Sequence, residues 1–184
     1  MRIIAGQLKR RLLKGPRSRR IRPVLDKVKG AIFNILGSVA GARVLDLYAG
    51  TGSLGLEALS RGAIHATFVD DAKEAVGIIH DNVDALNLSG SSEILLKSVP
   101  AALRGLAGRE LQFDLIFIDP PYDLGLINPA LATIAESKML NDGGWIVTEH
   151  SPRELPSSPV LQLADVRSYG QTRVSFFSTP KGTS

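Results

Sequence analysis

Apolar residues fall along this chain in two alternating patterns, short continuous runs and stretches at helical spacing. Residues 44–48, 66–69, 93–96, 113–118 and 144–149 are runs too continuous to leave one face in water, and they predict five buried strands. Between them, residues 53–60, the series Val76, Ile79, Val83 and Leu86, a short stretch at 101–106, and Ile127, Leu131 and Ile134 predict helices. Such alternation implies a parallel sheet covered on both faces and joined by right-handed crossovers. Ahead of it, residues 2–13 read as a hairpin turning near Gly6 and Gln7. A helix follows over 24–39, with Val24, Val28, Ile32, Ile35, Leu36 and Val39 on one face and Gly41 closing it. After a Ser/Pro-rich stretch at 151–159, strands over 160–168 and 172–178 flank Tyr169-Gly170-Gln171, a hairpin connection that makes the last strand antiparallel to its neighbour. The expected fold is α/β: a doubly wound, Rossmann-like, seven-stranded and mostly parallel sheet with an antiparallel last strand.

At 184 residues the chain fits one globular domain, read as a basic hairpin arm over 1–23 and an α/β domain over 24–184. It has no cysteine, which excludes disulfides, thiolate metal sites and cysteine nucleophiles. His65, His80 and His150 stand in no metal-ligand spacing, so no metal is expected. The first residues lack the apolar segment of a signal peptide, and no uncharged run nears the roughly 18 residues of a membrane span, so a cytoplasmic protein without membrane contact is expected.

Charge changes the picture more than composition does. The net charge of +4 hides an asymmetry: residues 1–30 hold eleven Lys or Arg against Asp26 alone, and the remainder is acidic on balance. Clustered positive charge is the footprint of a polyanion partner, because neutralised phosphates release their condensed counterions. Seven of the eleven are Arg, which suits bidentate phosphate contacts. Arg10, Arg11, Arg19, Arg20 and Arg22 are the candidate nucleic-acid contacts; a merely solvated charged tail is the other reading.

Two motifs carry candidate chemistry. Asp119-Pro120-Pro121-Tyr122 follows the 113–118 run, and its prolines restrict the backbone of Asp119 and the Pro120 carbonyl. Rigid acceptors beside an aromatic ring suit a planar base amine, whose delocalised lone pair becomes nucleophilic as the nitrogen turns pyramidal. Asp119 and Pro120 are thus read as catalytic acceptors and Tyr122 as the ring that stacks on the base. The second motif, residues 46–55, contains Gly50, Gly52 and Gly55 in a G-x-G-x-x-G string, with Asp70 twenty residues past Gly50. That string alone suits NAD. Asp46, four residues before the first glycine, suits an α-ammonium group better than a pyrophosphate, and Asp70 suits the ribose hydroxyls of either cofactor.

With these motifs and the terminal hairpin, the chain resembles the RsmD family of bacterial 16S rRNA guanine-N2 methyltransferases, which have the class I methyltransferase fold. Arg2-Ile3-Ile4-Ala5-Gly6, Arg22-Pro23 with Asp26-Lys27-Val28-Lys29 and Phe33-Asn34, the string 49–58 and Tyr169-Gly170-Gln171-Thr172 carry the likeness. Val24 stands where the family usually has threonine, Gly30 where an acidic residue is common, and Ser98 where Asp or Asn usually contacts the adenine. The resemblance implies S-adenosylmethionine as cofactor, held by Asp46, Ala49, Gly50, Gly52, Asp70, Ser98 and Asp119. It further implies a monomer that acts on 16S rRNA in a small-subunit assembly particle, at the guanine of position 966. The alternatives are another Asp-Pro-Pro-Tyr amino-methyltransferase acting on DNA, tRNA or protein, an NAD-dependent oxidoreductase, and a noncatalytic RNA-binding module.

Overall fold

The computed structural model describes residues 1–15 and 26–180. Its helices are α1 (Asp26–Leu36), α2 (Ser53–Ser60), α3 (Lys73–Ala85), α4 (Val99–Ala107) and α5 (Ile127–Glu136). The strands are β1 (Arg43–Leu47), β2 (His65–Asp70), β3 (Ser92–Leu96), β4 (Phe113–Ile118), β5 (Leu140–His150), β6 (Gln162–Tyr169) and β7 (Thr172–Ser178). They form one sheet in the order β3-β2-β1-β4-β5-β7-β6. β1 to β5 are mutually parallel, and β7 is antiparallel to both β5 and β6. This is the expected class I methyltransferase topology. The chain winds outward from β1 to β3 and returns at β4, so the loops that leave β1 and β4 separate at the switch point, where open α/β sheets bind ligands.

Apolar side chains on both faces of the central strands explain why the sheet needs two helical layers. Phe33, Leu56, Phe68, Ile79 and Phe117 share one core with α1, α2 and α3. Leu45, Leu47, Ile116 and Ile118 share the other with α4 and α5. The hairpin at the N-terminus joins the first of these. Arg2 and Leu12 form its antiparallel bridge, Ile3 is fully buried, and Leu13 is buried beside it. Residues 1–15 are thus built into the core beside α2.

Two boundaries differ from expectation. α1 ends at Leu36, with Gly37 left-handed at φ 71°, four residues before the glycine expected to close it. On its face Ile35 is partly exposed, whereas Lys29 is fully buried. β5 begins at Leu140, because pairing with β4 jumps from Phe113–Leu140 to Leu115–Trp145 and residues 141–144 bulge out between. Arg19, Arg20, Arg22 and Val24 lie outside the described residues. No helix among the described residues is long and apolar enough to cross a membrane, and none of their His, Asp and Glu clusters could hold a metal ion.

Candidate active site

The loop from β1 to α2 is held from two sides by carboxylates. Asp70, at the end of β2, accepts the Gly50 N–H with Oδ2 at 2.9 Å and the Ala72 N–H with Oδ1 at 2.9 Å. Each oxygen keeps a second lone pair for a ribose hydroxyl. The Ala49 N–H donates to the Val69 carbonyl and the Gly52 N–H to the Ala49 carbonyl, completing a tight turn. Tyr48, the residue entering it, is left-handed at φ 58°, a costly conformation for a residue with a side chain.

Asp46, expected beside an α-ammonium group, stands near the end of β1 under the same loop. It is 1% exposed, beneath the loop, and its Oδ2 accepts the Gly55 N–H at 2.9 Å. Burial pushes its carboxyl up to about 7, opposed by the Gly55 N–H and assisted by the negative charge of Asp70. A Cβ on Gly55 would lie 2.4 Å from the Phe68 ring and 3.2 Å from the Asp46 carboxylate, so glycine is required for α2 to sit this close to the sheet. Asp46 thus braces the start of α2 from below.

Asp119 follows β4 directly, and its N–H approaches the Leu47 carbonyl at 3.4 Å, extending the β1–β4 ladder by one residue. The Asp-Pro-Pro-Tyr turn therefore starts at the switch point, across from the glycine loop. Asp119 is half-buried and Pro120 buried. The Tyr122 hydroxyl donates to Glu149 Oε1 at 2.8 Å and pairs with Thr172 Oγ1 at 2.8 Å, which anchors the ring tip to the end of β5 and the start of β7. Burial, with the nearby carboxylates, pushes the phenol well above its ordinary range, so it stays protonated and is no base. Asp123 is left-handed at φ 62°. Its carboxylate accepts the Ser151 hydroxyl through Oδ1 and Arg153 Nη2 through Oδ2 at 2.7 Å. A cavity of about 420 Å³ opens here, lined by Tyr122, Asp123, Ser151, Pro152, Arg153 and Gln171.

Ser98 is exposed just before α4, and the Lys97 N–H donates to the Asp70 carbonyl at 3.0 Å, which keeps that turn beside the β2 end. Arg10 and Arg11 are both exposed on the hairpin. Arg11 Nη2 donates to the Ala85 carbonyl at the end of α3. The fold thus brings Asp46, Ala49, Gly50, Gly52, Asp70, Ser98, Asp119, Pro120 and Tyr122 to the carboxyl ends of the strands, and sets Arg10 and Arg11 on the hairpin instead. Glu149, Asp123, Ser151 and Arg153 were not singled out by the sequence. Thr172 and Gln171 stood out only as members of the Tyr169-Gly170-Gln171-Thr172 turn.

Residues 1–178 match the family model described as Conserved hypothetical protein 95. The Bacillus subtilis protein YlbH, provisionally named an rRNA methyltransferase, is 40% identical over 96% of this chain and 98% of its own length. The Ribosomal RNA small subunit methyltransferase D of Escherichia coli K12 is 34% identical over 81% of this chain and 71% of its own. Among solved structures, the Escherichia coli protein yhhF superposes with a TM-score of 0.85 at 30% identity, over 97% of both chains.

Proposed function

The chain belongs to the family described as Conserved hypothetical protein 95, the RsmD-type methyltransferases, and from that premise we propose that it methylates the N2 amine of a guanine in small-subunit rRNA, with S-adenosylmethionine as donor. The observation that carries this reading is the convergence at the switch point: Asp119 extends the β1–β4 ladder while Asp70 braces the Gly50 turn beside it. When bound, the cofactor supplies a methyl group on a sulfonium, already a strong electrophile. The protein's task is then orientation and preorganised electrostatics. Asp70 and the turn at Ala49 to Gly52 would hold the adenosyl and methionine parts, with Ser98 at the adenine. The Asp119 carboxylate and the Pro120 carbonyl would accept the two hydrogens of the amine and favour its pyramidal form. Tyr122 would stack on the base, its ring fixed by the Glu149 and Thr172 bonds. The amine proton, acidic once the nitrogen is quaternised, passes to water.

The direct test incubates the protein and methyl-labelled S-adenosylmethionine with small-subunit rRNA, naked and in particles, from a strain lacking the gene. The expected product is N2-methylguanosine at one nucleotide, the position-966 guanine being the one the family implies. Label on another base, on tRNA, DNA or protein, or none at all, would overturn the assignment.

A further inference from the structure

We infer that Arg153 and the cavity beneath it form a guanine-reading subsite, in which the guanidinium recognises the O6 and N7 edge of the base whose amine faces Asp119. The inference rests on the guanine reading above and adds the residue that would select that base.

The argument starts from a local arrangement that stability does not explain. Asp123 is left-handed, and an exposed Arg–carboxylate pair adds little to folding. Yet Asp123 holds two partners at once: the hydroxyl of buried Ser151 on one oxygen, and Nη2 of Arg153, 83% exposed, on the other. The Arg153 backbone N–H also donates to Ser151 Oγ at 3.2 Å. The Arg153 backbone and one guanidinium nitrogen are therefore both tied to the Asp123–Ser151 pair, while most of the side chain faces open space. A surface arginine restrained in this way is preorganised for a ligand, and strained backbone tends to collect where a site requires it.

The ligand follows from what else lines the cavity. Tyr122 forms one wall, so a base stacked on that ring would lie along the cavity with Arg153 at its border. A guanine presenting N2 to Asp119 turns its O6 and N7 acceptors away from it. Only donors can read those two atoms, and the arginine fork matches them bidentately. An adenine-like base presents an amino group at the same place and would meet donor with donor. The Gln171 amide, also in the lining, can donate or accept and does not discriminate by itself.

The test uses small-subunit rRNA ligated around a synthetic segment that carries guanosine or 2,6-diaminopurine riboside at the modified position. Both bases keep the N2 amine, and only guanosine keeps O6. The wild-type protein is expected to prefer guanosine in kcat/KM by between about fivefold and 150-fold, the range for one bidentate contact. Arg153→Met should lose most of that preference while binding S-adenosylhomocysteine as the wild type does, which shows that the variant folds. Arg153→Lys, with the charge but without the fork, should resemble the Met variant. An unchanged preference in Arg153→Met overturns the subsite and leaves the guanine reading intact. An equal loss on both RNAs, the mark of a phosphate contact, also overturns it. No transfer to guanosine by the wild type overturns the guanine reading and the subsite with it.

Discussion

Glu57, wholly buried on α2, accepts the Ile4 N–H of the hairpin with Oε2 at 2.7 Å. Its Oε1 takes the Ala5 N–H at 3.0 Å, and Ser60 one turn later accepts the Leu8 N–H and donates to the Ala5 carbonyl. A Cβ at Gly6 would lie 1.8 Å from the Ser60 carbonyl, so only glycine lets the hairpin press this closely on the helix. All eight residues of α2 are buried, by the sheet on one side and by the hairpin and α1 on the other. The basic hairpin is therefore the outer wall of the helix that begins at the glycine loop.

Removing that carboxylate should be costly. Glu57 faces Arg61 at 2.8 Å and Lys29 at 3.5 Å, and Lys29 also donates to the Arg2 carbonyl and Ser53 Oγ. Glu57→Ala strands the buried ammonium of Lys29 and is expected to lower unfolding stability by about 3–5 kcal/mol in urea titrations. A loss below about 1 kcal/mol would mean that the pair is not buried in solution.

Deleting residues 1–15 should expose α2 and weaken cofactor binding and RNA binding together. That differs from the behaviour of an independent charged arm, which would spare the cofactor. Thermal melts alongside calorimetry with S-adenosylhomocysteine decide it: a truncated protein with unchanged melting and cofactor affinity would refute the wall.

Asp46 predicts a pH effect of definite sign. Its carboxyl is pushed up to about 7 in the fold, against about 3.9 for an unperturbed Asp. Between those values the native state binds a proton that the unfolded chain has released, so stability falls as pH rises from about 4 through about 7 and levels off above. The full effect is at most about 4 kcal/mol. Asp46→Asn keeps an oxygen for the Gly55 N–H without the charge, so its stability relative to wild type should improve between pH 5 and pH 8. A gap that stays constant over that range in denaturant titrations would show that Asp46 is not protonated there.

Much of the strand and helix pattern was legible because the central strands are apolar runs buried on both faces; β4 and α2 match their expected limits, whereas the 93–96 run, expected to be buried, is the half-exposed edge strand β3. What was not legible depends on partners far away in sequence. Lys29 reads as a surface lysine until Glu57 arrives from another helix, and the hairpin reads as an arm until Ser60 and Glu57 take up its N–H groups. The site divides likewise. The Asp-Pro-Pro-Tyr and glycine motifs are local strings, whereas the partners of Tyr122 and Asp123 come from the ends of β5 and β7.

Asp70 joins loop support to the expected ribose contact, so its removal should cost both. Asp70→Ala is expected to weaken S-adenosylhomocysteine binding by roughly tenfold to a hundredfold, from charge-assisted bonds of about 1.5–3 kcal/mol. Calorimetry showing wild-type affinity would remove Asp70 from the cofactor site.

At the turn after β4, binding and chemistry should separate by residue. Asp119→Ala removes an acceptor needed most as the amine becomes pyramidal and positive, and should lower the single-turnover rate by about a hundredfold or more. Tyr122→Ala should instead weaken RNA capture, by about 1–3 kcal/mol of lost stacking. Tyr122→Phe tells the ring from its anchor: the face that would stack is kept, while the bonds to Glu149 and Thr172 are lost. Leaving two buried oxygens short of a partner should cost about 1–3 kcal/mol of stability. RNA affinity should then stay nearer to wild type than to Tyr122→Ala. If Phe and Ala weaken RNA binding equally, the hydroxyl's hold on β5 and β7 matters to the substrate more than the ring does, and the stacking role assigned to Tyr122 fails.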